Sequence, residues 1–128
     1  MDLNYFKKTK ILDGGVGQEL LAKGLISKGT LWSASALLEK KFHQLLVDVH
    51  LSFINAGADV IVTNNFSSKK IRLIQNKVEE KFKYINKKAC ELANKAREIS
   101  KENILIAGSL PPQNGTYVVD ERDINIIK

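Results

Sequence analysis

Apolar residues along this chain come either in short unbroken runs or at spacings of three and four, and the two kinds alternate. Unbroken runs mark strands buried on both faces, whereas the three-four spacing marks one side of a helix. Residues 10–13 ("KILD") read as a short buried strand. Residues 18–23 form a helical turn closed by Gly24, the residue type favoured just past a helix end. Residues 25–35 ("LISKGTLWSAS") read as a loop, with Ser33 or Ser35 placed to cap the next helix. From Phe42 onward, Phe42, Leu45, Leu46, Val49 and Phe53 make one helical stripe. The segment "NAGAD" breaks it, and residues 59–63 ("DVIVT") form a β-branched run typical of a buried strand.

A second long helix is predicted over residues 79–101, with the stripe Phe82, Ile85, Ala89, Leu92, Ala96 and Ile99. Residues 103–110 ("NILIAGSL") form a third apolar strand, residues 111–116 ("PPQNGT") a loop, and residues 121–128 the start of another helix. The order β-α-β-α-β, with each strand a continuous apolar run, predicts an α/β fold of parallel strands covered by helices. Polar residues sit just beyond the C-terminal end of every strand: Asp13-Gly14-Gly15, Thr63-Asn64-Asn65 and Ser109. In parallel α/β folds that edge binds ligands.

The turn "LDGGVGQEL" is glycine-rich, which raises the question of a nucleotide. A phosphate-binding P-loop needs a lysine and then Ser or Thr after its last glycine, but Gln18 and Glu19 come after Gly17. A dinucleotide turn needs Gly-x-Gly-x-x-Gly, and Leu20 stands where the third glycine belongs. Asp13 would also aim a negative charge at the pyrophosphate. Two readings of Asp13 stay open. Its carboxylate, ending a buried strand, could take a substrate ammonium while the glycine amides take a carboxylate, gripping both ends of an α-amino acid. Alternatively, it caps the following helix.

Composition narrows the class. With 44% hydrophobic and 27% charged residues the chain is globular in character, and no run reaches the ~18 apolar residues of a membrane helix. No apolar segment comes after the N-terminal lysines, so no secretory signal is read. A single cysteine, Cys90, allows no internal disulfide and suits a reducing compartment, so a cytoplasmic protein is expected. The net charge of +6 is concentrated in residues 69–102, which hold eleven Lys/Arg against five Asp/Glu. No recognition motif or interleaved aromatic pattern accompanies these cations. A solvated helix face, with Glu91 and Lys95 paired at i,i+4, explains them better than a nucleic-acid or membrane surface.

Four blocks, "LDGGVGQELLAKG", "LWSASALLE" (31–39), "VHLSFINAGADVIVTNNF" (49–66) and "IAGSLPP" (106–112), resemble the homocysteine S-methyltransferase family, whose members use betaine or S-methylmethionine. The resemblance implies a (β/α)8 TIM barrel, of which residues 1–128 match only the N-terminal part: the first three β/α units, with no second domain. It further implies that Asp13 and Gly14, ending the first strand, and Thr63, ending the second, contact homocysteine. Trp32 matches an aromatic that shapes the methyl-donor side in betaine-using relatives. Ser67 stands where those relatives carry a tyrosine facing the donor, which speaks against betaine. Asn64, Asn65 and Phe66 belong to the same loop and line the mouth.

The family's zinc is held by three cysteines from later strands, two of them in a Gly-Gly-Cys-Cys motif, and this sequence has neither. Zinc is thus expected for the complete domain, with its ligands absent from this chain. Cys90 is expected to pack its thiol against the core. His43 and His50 lie seven residues apart, about 10 Å along a helix, too far to share an ion; both are expected at the surface beside the helix stripe. The implied reaction is attack of the zinc-held homocysteine thiolate on the methyl carbon of an onium donor, giving methionine. This chain would supply the amino-acid anchor and would not catalyse alone. The expected partners are homocysteine, the methyl donor and a complementary C-terminal barrel fragment. The alternative is a non-catalytic truncated fragment, or a split-barrel subunit acting as a binding module.

Overall fold

The computed structural model of the chain describes residues 3–112; most of the predicted 111–116 loop and the predicted helix start at 121–128 lie outside them. After a short 3-10 turn at Leu3–Lys7, the order is α1 (Val16–Ala22), α2 (Ser35–Leu38), α3 (His43–Asn55), β1 (Val60–Val62), α4 (Lys70–Gln75), α5 (Phe82–Ser100) and β2 (Leu105–Ala107). β1 and β2 are parallel, in the register Val60↔Leu105, Ile61↔Ile106 and Val62↔Ala107. The protein is thus an α/β fold, rich in helix, built on a small parallel sheet.

Glycines set the ends of α1 and α3. Past α1, the Gly24 N–H donates to the Leu21 carbonyl at 3.1 Å and the Leu25 N–H to the Leu20 carbonyl at 2.8 Å. Gly24 has φ +98, so the closing turn needs the conformation that glycine takes without cost. Gly57, at φ +100, closes α3 in the same way, and the chain drops directly into β1.

Residues 10–13 depart from the prediction of a buried strand. They make a single parallel bridge, Leu12↔Val60, with Ile11 and Leu12 58% and 62% exposed. The bridge is firm: the Asp59 and Val60 N–H groups donate to the Ile11 carbonyl at 2.8 and 3.1 Å, and the Asp13 N–H to the Val60 carbonyl at 2.9 Å. The Asp59 carboxylate accepts the Ile11 N–H at 2.9 Å. Among the described residues this segment is paired on one side only, so its apolar side chains stay uncovered.

The core lies between α3, α5, α1 and the sheet, with Leu20, Leu37, Leu46, Ile61, Leu73 and Ile85 fully buried. α5 buries Ile85, Ala89, Leu92 and Ala96 of its predicted stripe, plus Ala93, while Ile99 is exposed. α3 is covered by α1, α2, α5 and β1, so its buried face is wider than one stripe. That corrects the placement of the histidines. His50 is fully buried, and His43 is half-buried with Nε2 3.1 Å from the Leu37 carbonyl oxygen. Cys90 moves the other way: it is exposed on α5, because the core-facing turns there are filled by Ala89 and Ala93.

Residues 25–35 are more ordered than a loop. Gly29–Ala34 forms a 3-10 turn leading into α2, and neither Ser33 nor Ser35 caps a helix. Ser35 Oγ instead accepts the Lys28 N–H at 2.8 Å. The cations of α5 lie mainly outward, with Lys87 and Lys88 both paired to Glu91. Lys95 does not join them; its ammonium donates to Gln44 Oε1 on α3 at 3.1 Å.

Candidate functional site

Beyond the C-terminal ends of residues 11–13 and of both strands lies an open cavity of about 370 Å³. Its lining includes Asp13, Gly14, Gly17, Trp32, Thr63 and Ser109. The four positions singled out from the sequence, Asp13, Gly14, Trp32 and Thr63, therefore meet in one place. Each arrives there for a local reason.

Asp13 comes from the bridge. Its Oδ2 accepts the Val62 N–H at 2.9 Å, spanning from the first segment to the end of β1. The N-cap of α1 is Gly15 and no side chain caps that helix, so Asp13 does not serve as its cap. The carboxylate is half-buried. Burial pushes its pKa up, with the Val62 amide hydrogen bond opposing that shift. A cationic partner would reverse the rise.

Thr63 is buried, and its hydroxyl both donates and accepts a hydrogen bond. Its N–H donates to the Ala107 carbonyl at 2.9 Å, extending the β1–β2 pairing by one residue. Its hydroxyl donates to Asn65 Oδ1 at 2.7 Å and accepts the Ser109 N–H at 3.1 Å. Asn65 in turn donates to Asn86 Oδ1 on α5 at 2.8 Å. Thr63 thus has its one proton committed and keeps a lone pair. Asn65 belongs to this network and does not line the cavity, whereas Asn64 and Phe66 do. Ser67 faces away: it is buried, with Oγ accepting from Arg72 Nη1 at 3.1 Å.

Trp32 has φ 47 and ψ −123, a backbone conformation that a residue with a side chain rarely holds. Its ring lies across α1 where Gly17 leaves room. A Cβ built on Gly17 would fall 3.0 and 3.1 Å from two Trp32 ring carbons and 3.2 Å from Ser33 Cβ. Gly17→Ala is therefore expected to push the indole aside by a few tenths of an ångström, the crowding cost of about 1–3 kcal/mol being offset in part by alanine's helix preference of about 1 kcal/mol within α1. Because Trp32 is the chain's one tryptophan, the displacement reads directly as a change in intrinsic emission, with a urea titration giving the stability. Gly14 is similarly constrained, since a Cβ there would lie 2.9 Å from Phe53 Cε1.

Against known proteins, the family model for homocysteine S-methyltransferase matches residues 10–126. The chain belongs to the homocysteine S-methyltransferase family. It is 35% identical over 117 residues to a homocysteine S-methyltransferase of Escherichia coli K12, covering 86% of this chain and 37% of that protein. It is 31% identical over 86 residues to an S-methylmethionine–homocysteine S-methyltransferase of Rattus norvegicus, covering 67% of this chain and 22% of that one. Its fold is similar to the crystal structure of a metallated homocysteine methyltransferase from Escherichia coli, with a TM-score of 0.72 at 32% identity, covering 86% of this chain and 41% of that one. The chain therefore spans about two fifths of the length of these Escherichia coli relatives.

The solved relative carries a metal, so the donor set here bears testing. Among the described residues no three His, Cys, Asp or Glu side chains come together to hold an ion. His50 is sealed in the core, His43 is committed near Leu37, and Cys90 is exposed on α5. The described residues do not fit a metal centre. Among those residues, no helix is long and apolar enough to cross a membrane.

Proposed function

We propose that this chain forms the amino-acid-binding part of a homocysteine S-methyltransferase, as the first three β/α units of a (β/α)8 barrel. The observation that carries the reading is the convergence of Asp13, Gly14, Thr63 and Trp32 on one cavity at the C-terminal edge of the sheet, in a chain of this family. Asp13 takes the substrate ammonium, and the free lone pair of Thr63 offers a second acceptor to it. The backbone amides of the Gly14–Gly17 turn receive the substrate carboxylate. Held at both ends, homocysteine presents its sulfur at a fixed angle. Trp32 and Phe66 give the cavity an aromatic wall suited to an onium methyl donor. S-methylmethionine is the favoured donor over betaine, because Ser67, which stands where betaine-using relatives carry a tyrosine, has its hydroxyl bonded to Arg72 and is not among the cavity-lining residues. In the reaction the homocysteine sulfur, as a thiolate with its proton released to solvent, bonds to the methyl carbon as the donor's bond to that carbon breaks, giving methionine and the neutral demethylated donor.

The remaining strands would come from further polypeptide, joined to this chain or supplied by a split partner. Residues 11–13 and β2 each lack a neighbour on one side among the described residues, and Ile11, Leu12 and Leu110 are 58%, 62% and 96% exposed. Metal ligands, including a Gly-Gly-Cys-Cys segment, would come from that part. The test is methyl transfer from S-methylmethionine to L-homocysteine. The protein of residues 1–128 is expected to show none, and the same sequence joined to the remaining barrel strands is expected to turn over. A joined, folded barrel that fails to bind L-homocysteine would overturn the assignment.

A further inference from the structure

Trp32 stands at the cavity wall in a backbone conformation it would not choose, so something must hold it there. Within the turn, the Lys28 N–H donates to Ser35 Oγ at 2.8 Å and the neighbouring Leu31 is buried, but these ties leave the Gly29–Thr30 end to be held from outside. The segment that carries Trp32 is fastened at both ends to the polypeptide beyond β1. Downstream, the Ser33 carbonyl accepts Asn64 Nδ2 at 2.9 Å. Upstream, Thr30 is gripped by α4 and the residue that ends it. Arg72 Nη1 donates to the Thr30 carbonyl at 2.9 Å, Asn76 Nδ2 to Thr30 Oγ1 at 2.7 Å, and the Thr30 N–H donates to Asn76 Oδ1 at 3.3 Å. Gly29 fits beneath because it lacks a side chain: its φ is +48, and a Cβ would sit 2.1 Å from Asn76 Oδ1.

The clamp is itself well set. Asn76 ends α4, and its Nδ2 also donates to the Arg72 carbonyl at 2.6 Å. Arg72 Nη1 reaches the buried Ser67 Oγ at 3.1 Å. Leu73, between them, is fully buried and seats α4 on the core. The aromatic wall of the cavity is thus fixed by a helix that contributes nothing to the cavity lining.

We infer that Arg72 and Asn76 are positioning residues, which hold the Gly29–Thr30 turn and through it keep Trp32 strained against Gly17 at the cavity wall. Release of either relaxes the turn and lets the indole leave. The clamp stands independently of any reaction; its consequence for the methyl donor rests on the function proposed above.

The test uses the intact chain and its single tryptophan. In Asn76→Ala, loss of about one net hydrogen bond is expected to raise the ratio of released to seated indole about fivefold. The emission of Trp32 then shifts to the red, its quenching by acrylamide rises and its anisotropy falls. Thr30→Val, which removes the hydroxyl partner from the other side, is expected to do the same, and the double variant Thr30→Val/Asn76→Ala to add little to either. Far-UV circular dichroism keeps the comparison to folded protein; if Asn76→Ala does not fold, Arg72→Met and Thr30→Val carry the test. Folded variants whose Trp32 emission, quenching and anisotropy match the parent would overturn the inference. In a turnover-competent full barrel, Asn76→Ala is expected to raise KM for the methyl donor several-fold with KM for homocysteine unmoved. A change in Trp32 signal without that split would retain the clamp and remove Trp32 from the donor side.

Discussion

Asp13→Asn is expected to weaken L-homocysteine binding about 10- to 100-fold while leaving the melting temperature within a few degrees of the parent. The substitution keeps an oxygen where Oδ2 now accepts the Val62 N–H at 2.9 Å, so the tie between residues 11–13 and β1 survives. What it removes is the charge proposed to face the substrate ammonium, and hydrogen bonds to charged groups contribute about 1.5–3 kcal/mol. Asp13→Ala differs, because it also strands the Val62 amide, at a cost of about 1–3 kcal/mol in stability. Isothermal titration with the complete barrel domain, beside thermal melts, separates the two. An Asp13→Asn protein that melts early yet binds homocysteine normally would reduce the carboxylate to a structural tie.

The pH dependence gives the same prediction a second handle. Burial raises the Asp13 pKa from its ordinary value, so without ligand its ionisation opposes folding, and stability falls as pH rises through the raised value. A bound ammonium favours the ionised form. Homocysteine affinity is therefore expected to fall as pH drops through that same value, and the Asp13→Asn profile to be flat across it.

How much of this is legible in the sequence depends on the range of the interaction concerned. Gly24 and Gly57 mark helix ends by local backbone requirements, so α1 and α3 end where their glycines predict. The runs at 59–63 and 103–110 contain the two strands, since β-branched and aliphatic residues in sequence leave few alternatives. The clustering of polar residues beyond each strand locates the cavity, because parallel topology alone brings those ends together. α4 gives no comparable signal: six residues make less than two turns, and only Leu73 of its apolar residues is buried. Residues 25–35 look like a loop for a similar reason, because a six-residue 3-10 segment interrupted at Trp32 is too short to show its three-residue period. The clamp of Arg72 and Asn76 on Thr30 joins residues more than forty positions apart, and no local pattern announces it. Cys90 and His50 each lie on the side of their helix opposite to expectation, because stripe width depends on which elements a helix packs against. α3 meets α1, α2, α5 and β1, and its buried face widens to take in a histidine.

That histidine sets the second large effect. His50 is fully buried, and among the described residues neither ring nitrogen has a hydrogen-bond partner. Burial alone pulls its pKa down from 6.5 to about 4. The folded protein therefore binds fewer protons than the unfolded chain between those values, and stability must rise with pH across that window. Over 2.5 units the contribution amounts to about 3 kcal/mol, present in full above pH 6.5 and lost as the pH falls toward 4. Surface carboxylates such as Glu39 and Glu91, whose pKa values are lowered by their lysine partners, also lose stabilisation in acid, so the histidine must be isolated by difference. His50→Leu fills a similar volume without polar atoms. It is expected to raise stability at pH 7 by about 1–3 kcal/mol, by removing an unpartnered buried polar ring. It is also expected to flatten the acid limb, so that the gap between variant and parent widens from pH 7 to pH 4.5. Urea midpoints measured at half-unit intervals would show that widening; parallel profiles would mean that His50 finds a proton acceptor in the folded core.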